Sequence, residues 1–291
     1  MNHLAASELI LNQDGSIYHL NLRPEQIAPT VIVVGDQDRV GKVTKYFDTI
    51  EHTVQKREFH TQTGTYKGKQ ISVISTGIGT DNIDIVLNEL DALVNIDFES
   101  RQIREEKTQL DIIRIGTSGS VQADIPVDSI VVSKLAVGFD TVLHFYQSDD
   151  VQLTDFNEAL ADHLEMSPQH SKPYVVACDT DLAEIFDGPN TYDGFTGSNA
   201  GFYAPQGRVL RLPLRETQMR EKIASFNFKG KKITNLEMET SAIFGLSKLL
   251  GHRAVSLNAI IANRATGDFT KDGAKAIDTT IRYTLERLAG S

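Results

Sequence analysis

Short runs of Val and Ile, each followed by apolar residues at helical spacing, recur along this chain, and that alternation restricts the fold more than any other feature. Thr30 to Val34, Gln70 to Ser75, Asp111 to Ile115, Ser129 to Val137, Tyr174 to Ala177, Val209 to Leu212 and Ala254 to Ile261 read as strands, several continuous enough to be buried on both faces. Ile83, Val86, Leu87, Leu90 and Leu93 space a helix over Asn82 to Val94. Ile243, Leu246, Leu249 and Leu250 space another over Glu239 to Leu250, stopped by Gly251, and Ile277, Ile281, Leu285 and Leu288 line a final one. Such an order predicts an α/β chain with a mostly central sheet covered by helices.

No repeat, low-complexity tract or Pro/Gly/Ser linker divides the 291 residues, and 40% of them are hydrophobic, so one domain over residues 1–291 is the economical reading. Met1 to Ile17 reads as an N-terminal extension and Asn95 to Gln109 as a charged, solvated insertion; neither is expected to carry chemistry. A net charge of -10 argues against a surface that tracks polynucleotide phosphates, so nucleic acid is not expected as a partner. No apolar run approaches the roughly 18 to 20 residues of a membrane span, and Met1-Asn2-His3 lacks a signal peptide's basic and apolar regions. The single Cys178, beside Val175, Val176 and Ala177, excludes an internal disulfide framework and reads as core. A soluble, cytoplasmic protein is expected.

Two stretches suit an anion. Val31 to Val34 ends in Gly35, and Arg39 follows about one helical turn on, an arrangement able to clamp phosphate; an ordinary turn with a capping aspartate at Asp36 reads equally well. Arg114 then lies in an apolar run leading into Gly116-Thr117-Ser118-Gly119, read as a turn with free backbone and two hydroxyls. A buried strand seldom holds an arginine without a partner. Neither stretch is a Walker loop or a Gly-x-Gly-x-x-Gly fingerprint, and His/Cys pairs at metal-ligand spacing are missing. Gln206-Gly207-Arg208 offers an amide and a guanidinium, and Glu237-Met238-Glu239 two carboxylates around a thioether. Read alone, the former could be a surface turn, Met238 core, and His19 and Arg57 solvated groups.

Taken together, these motifs and their order make the chain resemble the uridine phosphorylases of the nucleoside phosphorylase superfamily from about Tyr18 to the C-terminus, with Gly116 to Val132 similar to that superfamily's signature. The resemblance implies a three-layer α/β/α sandwich around a distorted mixed β-sheet. It also implies a reversible reaction of uridine with inorganic phosphate, giving uracil and ribose 1-phosphate. Phosphate would be held by Gly35, Arg39, Arg114 and Thr117, with Arg57 reaching in from a neighbouring subunit. The ribose would be held by Glu237, Met238 and Glu239, with Glu239 taking the 2′- and 3′-hydroxyls and a partner's His19 the 5′-hydroxyl.

For the base, the resemblance implies Phe202 packing on the ring, Gln206 pairing with N3 and O2 and Arg208 reaching O4, beside Ile261 and Arg264. Arg264 stands where purine-specific relatives carry an aspartate, and it cannot act as that acid. Breaking the C1′ to N1 bond builds positive charge on the sugar and negative charge on the uracil. Gln206, Arg208 and Arg264 would meet the latter, phosphate the former.

Gln37 replaces the family's usual proline after Gly35-Asp36, and Asn82 stands where a serine is common. With Glu58 and Ile78 that position belongs to an inter-subunit potassium site in bacterial members, so the ion stays open. No other cofactor is expected, with inorganic phosphate as co-substrate. A homo-oligomer with shared active sites is implied, a ring hexamer in the family. The alternatives are a phosphorylase of another nucleoside, purine or deoxyuridine, and a nucleoside-binding protein without turnover.

Overall fold

A computed structural model describes residues 3–290. In chain order its strands are β1 (Thr30–Val34), β2 (Thr49–Lys56), β3 (Phe59–Tyr66), β4 (Lys69–Ser75), β5 (Ile96–Asp97), β6 (Gln102–Ile103), β7 (Asp111–Ser120), β8 (Ile130–Gly138) and β9 (Tyr174–Ala177). They continue with β10 (Thr191–Ser198), β11 (Asn227–Phe228), β12 (Lys231–Lys232), β13 (Asn235–Glu237), β14 (Arg253–Asn263) and β15 (Asp268–Phe269). The α-helices are α1 (Gln37–Thr44), α2 (Thr80–Asn95), α3 (Thr154–Leu164), α4 (Thr180–Glu184), α5 (Met219–Ser225), α6 (Thr240–Leu250) and α7 (Gly273–Ala289).

The fold is the expected three layers. An 11-stranded mixed sheet lies between α1, α4 and α7 on one face and α2 and α6 on the other. β1, with Val31 to Val34 almost fully buried, runs parallel to β4 on one side and β7 on the other, as a doubly covered strand should. A second apolar cluster around Phe156, Phe195 and Phe226 closes the far end under α3 and α5.

The distortion has a specific origin. β7 pairs with β1 only as far as Arg114, and beyond that its neighbour is β13, antiparallel at Gly119 and Ser120. β14 runs parallel to β7 along its whole length and antiparallel to β8; β8 pairs with β10, and β10 with β13. The five strands β7, β14, β8, β10 and β13 therefore close on themselves.

One polar side chain from each strand faces the inside of this ring. Ser118 accepts from Asn235 Nδ2 at 2.9 Å, Asn235 Oδ1 from Thr196 at 3.0 Å, Thr196 meets Ser133 at 2.6 Å, and Ser133 accepts from Asn258 Nδ2 at 3.2 Å. All five are buried, and each polar group finds its partner in the next strand.

Several expectations need correction. Val209 to Leu212 is not a strand but part of an irregular loop, with Leu210 76% and Leu212 69% exposed; its Val and Leu suited a strand, but nothing covers them. Gly116 to Gly119 is not a turn: it continues β7 to Ser120, because β13 and β14 bond both of its edges. The β2–β3 hairpin and β10 were not anticipated, since their Thr, Gln and Gly content hides the alternation. The segments expected to be peripheral are tied down: Leu9 and Ile17 are buried, and the Arg101 guanidinium donates to the carbonyls of Leu4, Ala5 and Leu9. Met1 and Asn2 lie outside the described residues, as does Ser291. Asp36 does cap α1, its carboxylate accepting from Asp38 N at 3.0 Å, as the alternative reading of that turn expected. Cys178 is buried, and burial raises its thiol to about 11.

Candidate active site

The sequence places an arginine in a strand buried almost along its whole length, and the structure shows what compensates it. Arg114 is 6% exposed. Its Nη2 donates to Glu239 Oε2 at 2.6 Å and lies 3.0 Å from Glu237 Oε2, while Nη1 donates to Asn258 Oδ1 at 2.8 Å. The guanidinium lies over Gly116, where an added Cβ would sit 1.9 Å from Nη1. Burial works against the charge, but Glu237 and Glu239 overcome it and raise the guanidinium pKa. Burial raises Glu239 above the usual carboxylate range; Arg114 pulls it back and Glu237 adds to the rise.

The two glutamates differ in what they have left to offer. Glu237, at the end of β13, accepts from Ser198 Oγ at 2.5 Å, Glu239 N at 2.9 Å and Thr240 N at 3.1 Å, so it caps the front of α6. Glu239 accepts from Gly79 N at 2.9 Å and from Arg114, leaving lone pairs for a hydroxyl donor. Met238 is the one partly exposed residue in the buried run 233–247, and Thr117 the one partly exposed residue in 112–120.

Arg39, on α1, joins this group. Its Nη1 donates to Ile115 O at 3.3 Å, and its buried Nε has no partner. Burial first, and the nearby Arg114 second, lower its guanidinium pKa. Two neighbouring cations, one with an unfilled donor, form a place where an anion would be stabilised. Gly35 stands at the head of the same turn, a Cβ there meeting Gly77 O at 3.5 Å.

A second group forms around the turn Ala204–Gln206. Gln206 is 3% exposed; its Oε1 accepts from Arg208 Nη1 at 2.5 Å, and its main-chain oxygen from Arg264 Nη1 at 2.5 Å. Arg208 lies 3.9 Å above the Phe202 ring centroid and donates to Phe202 O at 2.6 Å. Arg264 packs over Gly119 of β7, Cδ 3.7 Å from an added Cβ, which ties this group to the strand bearing Arg114. Burial, then Arg208 and Arg220, push Arg264 down to about 10, with Glu221 opposing. Ile261 is half-buried on β14, three residues before Arg264. Around Arg264 two guanidinium groups, Arg208 and Arg220, face one carboxylate, Glu221.

His19 and Arg57 do not join either group among the described residues. They meet on Tyr18: the His19 ring is edge-on to it at 4.7 Å and Arg57 Cζ lies 5.8 Å from its centroid. Arg57 sits in the β2–β3 turn with φ 55, its carbonyl accepting from Gln37 Nε2 at 2.6 Å. Glu58 and Asn82 converge on Gly77, and Asn82 Nδ2 reaches Ile78 O at 3.4 Å. A cavity of about 590 Å³, lined by Gly79, Asn199 and Pro205 among others, adjoins both groups without containing their charged side chains. Asn258, Ser198 and Gly79, which hold Arg114, Glu237 and Glu239, escaped the sequence reading: Asn258 sits in an apolar strand, where a small polar residue gives no signal, and Ser198 ends β10, which was itself not anticipated.

The profile of the phosphorylase superfamily matches residues 29–289. The chain is 29% identical over 266 residues to a uridine phosphorylase of Thermococcus kodakarensis, covering 90% of this chain and 83% of that protein. It is 27% identical over 271 residues to a DeoD-type purine nucleoside phosphorylase of Bacillus subtilis, covering 92% and 95%. Among solved structures it superposes on a Trypanosoma brucei nucleoside phosphorylase that shows uridine phosphorylase activity, with TM-score 0.87, 28% identity, and 98% and 100% of the two chains covered.

Proposed function

The chain belongs to the phosphorylase superfamily, and from that premise we propose that it is a uridine phosphorylase, a pentosyltransferase that cleaves uridine with inorganic phosphate. The observation that carries this reading is the base-side cluster: Arg264 bonded to Gln206 and lying beside Arg208. An arginine at this point cannot protonate a purine, whereas guanidinium and amide donors suit the negative charge that develops on a departing uracil.

In this reading phosphate lies against Arg39, Arg114, Thr117 and the Gly35 backbone, and the unpartnered Arg39 Nε gains an acceptor there. Glu239 takes the ribose hydroxyls through its free lone pairs, and Met238 packs on the sugar. Holding both reactants in line removes much of the entropic barrier to attack at C1′. Phe202 covers the base once Arg208 leaves its ring for O4. No titrating acid is needed.

Arg57 and His19, grouped on Tyr18 away from Arg114, complete the site of a neighbouring copy, so a homo-oligomer, a dimer at the least and a hexamer of paired subunits in the fullest form, is the active unit. A proven monomer should lack phosphorolysis. The protein works as one domain in the cytoplasm, in pyrimidine salvage, without nucleic acid or membrane partners; among the described residues no helix is long and apolar enough to cross a membrane. Phosphate is the only co-substrate. Potassium at Glu58, Ile78 and Asn82 stays open: in one protomer the Asn82 side-chain amide donates to the Ile78 carbonyl at 3.4 Å, which leaves that oxygen a lone pair.

Incubation with uridine, thymidine and inosine, each with and without phosphate, tests the proposal by absorbance. Phosphate-dependent release of uracil from uridine is expected. Release at equal rate without phosphate would mean a nucleosidase, hypoxanthine would mean that the purine-cleaving relative is the better guide, and no release would favour a binding protein.

A further inference from the structure

We propose that Glu89, on α2, is a positioning residue for the ribose 5′-hydroxyl: it fixes the His19 imidazole so that Nε2 is presented as a hydrogen-bond acceptor. The proposal rests on the uridine phosphorylase reading for the identity of the hydroxyl, not for the geometry.

Three N–H groups from a segment 70 residues away converge on this one carboxylate. His19 Nδ1 lies 2.6 Å from Oε1, His19 N donates to both oxygens at 3.0 Å, and Leu20 N donates to Oε2 at 2.8 Å. An ionised carboxylate only accepts, so in the neutral imidazole the ring proton resides on Nδ1 and Nε2 keeps its lone pair. The ring is further held edge-on by Tyr18 at 4.7 Å and Phe59 at 6.4 Å. Lys56 Nζ fixes the preceding carbonyl, that of Tyr18, at 2.6 Å. Backbone and ring are therefore both immobilised, while the imidazole remains about a quarter exposed. A clamp needed only to hold the chain would stop at the two main-chain N–H groups; the contact to Nδ1 selects a tautomer. What that tautomer meets best is a primary hydroxyl donating its hydrogen.

Glu89→Gln keeps the shape but leaves one acceptor oxygen for three donors. The test compares kcat/KM for uridine and 5′-deoxyuridine in wild type, Glu89→Gln, His19→Ala and the double variant. Both single variants should lose about tenfold on uridine, the value of roughly one well-placed hydrogen bond, and little on 5′-deoxyuridine, with the double variant no worse than His19→Ala. Equal losses on both substrates, or none, would overturn the proposal. Imidazole 15N shifts of His19 provide a readout independent of turnover: the Nδ1–H tautomer in wild type should give way to a mixture in Glu89→Gln, and an unchanged tautomer would refute the positioning role. If wild type releases no uracil at all while the tautomer shifts as expected, it is the functional reading that fails.

Discussion

Asn258 Oδ1 lies 2.8 Å from Arg114 Nη1, so the buried guanidinium is tied at one end to the ring of amides and hydroxyls inside the closed strands and at the other to Glu239 and Glu237. Its position is set from three strands and a helix start. The charge can be held ready for an oxyanion without reorganising when one arrives.

Removing that cation should be worse than removing either carboxylate. Arg114→Met leaves two buried acids facing each other, and a loss of about 3 to 5 kcal/mol in urea unfolding is expected. Glu239→Gln, which keeps Glu237 as counter-ion, should lose less. Equal stabilities would show that the pair is not buried in solution.

Glu239 should leave a mark on the pH dependence of stability. In the unfolded chain a glutamate titrates near about 4.3, and burial raises this one in the fold. Between the two values the folded protein binds the extra proton, so this residue's contribution falls as pH rises and is recovered on acidification. Urea midpoints measured from pH 4.5 to 7 should therefore shift in favour of Glu239→Gln, relative to wild type, as pH rises; a constant difference would contradict the raised value.

Gly116→Ala tests the seat of the guanidinium. The new Cβ would fall 1.9 Å from Arg114 Nη1 and 2.3 Å from its Cζ, so the guanidinium must leave its partners. A destabilisation of about 1 to 3 kcal/mol, with a larger loss in apparent phosphate affinity, is expected from denaturation and steady-state kinetics.

Arg264→Asp should abolish uracil release while the unfolding midpoint changes little, because the residue is half-buried and surrounded by like charge. Losing one such donor typically costs about 10²- to 10³-fold, and an added carboxylate beside the leaving base makes it worse. Wild-type turnover would mean that the base binds elsewhere.

Thr196→Val breaks the polar ring at a side chain whose hydroxyl bonds Ser133 and Asn235 and none of the proposed site residues. Ser133 and Asn235 each lose a buried partner, and about 1 to 3 kcal/mol of stability should go with them. Activity per folded molecule should fall far less, which separates this variant from those at Arg114.

The sequence conveyed the α/β layering and the two arginine stretches because they rest on local signals: Val and Ile runs, glycine, and a charge where none is expected. It failed at Val209 to Leu212 because apolar content was read without knowledge of what covers it. It failed at Gly116 to Gly119 because whether a glycine-rich stretch turns or extends depends on β13 and β14, more than 100 residues away. The polar ring was invisible for the same reason: Ser118, Ser133, Thr196, Asn235 and Asn258 have no common spacing and acquire meaning only when five strands close. Glu89 resembled any acid on the wet side of an amphipathic helix until the fold brought His19 to it.

β7 belongs to the open part of the sheet as far as Arg114 and to the closed strands beyond it. One continuous strand thus belongs to both halves and joins them rigidly. On the proposed function, adjustment to a nucleoside falls to the exposed Phe202, Tyr203 and Val209 to Leu212, which lie outside any strand, so breadth of base selection can drift in evolution while the strand-held Arg114 end stays fixed.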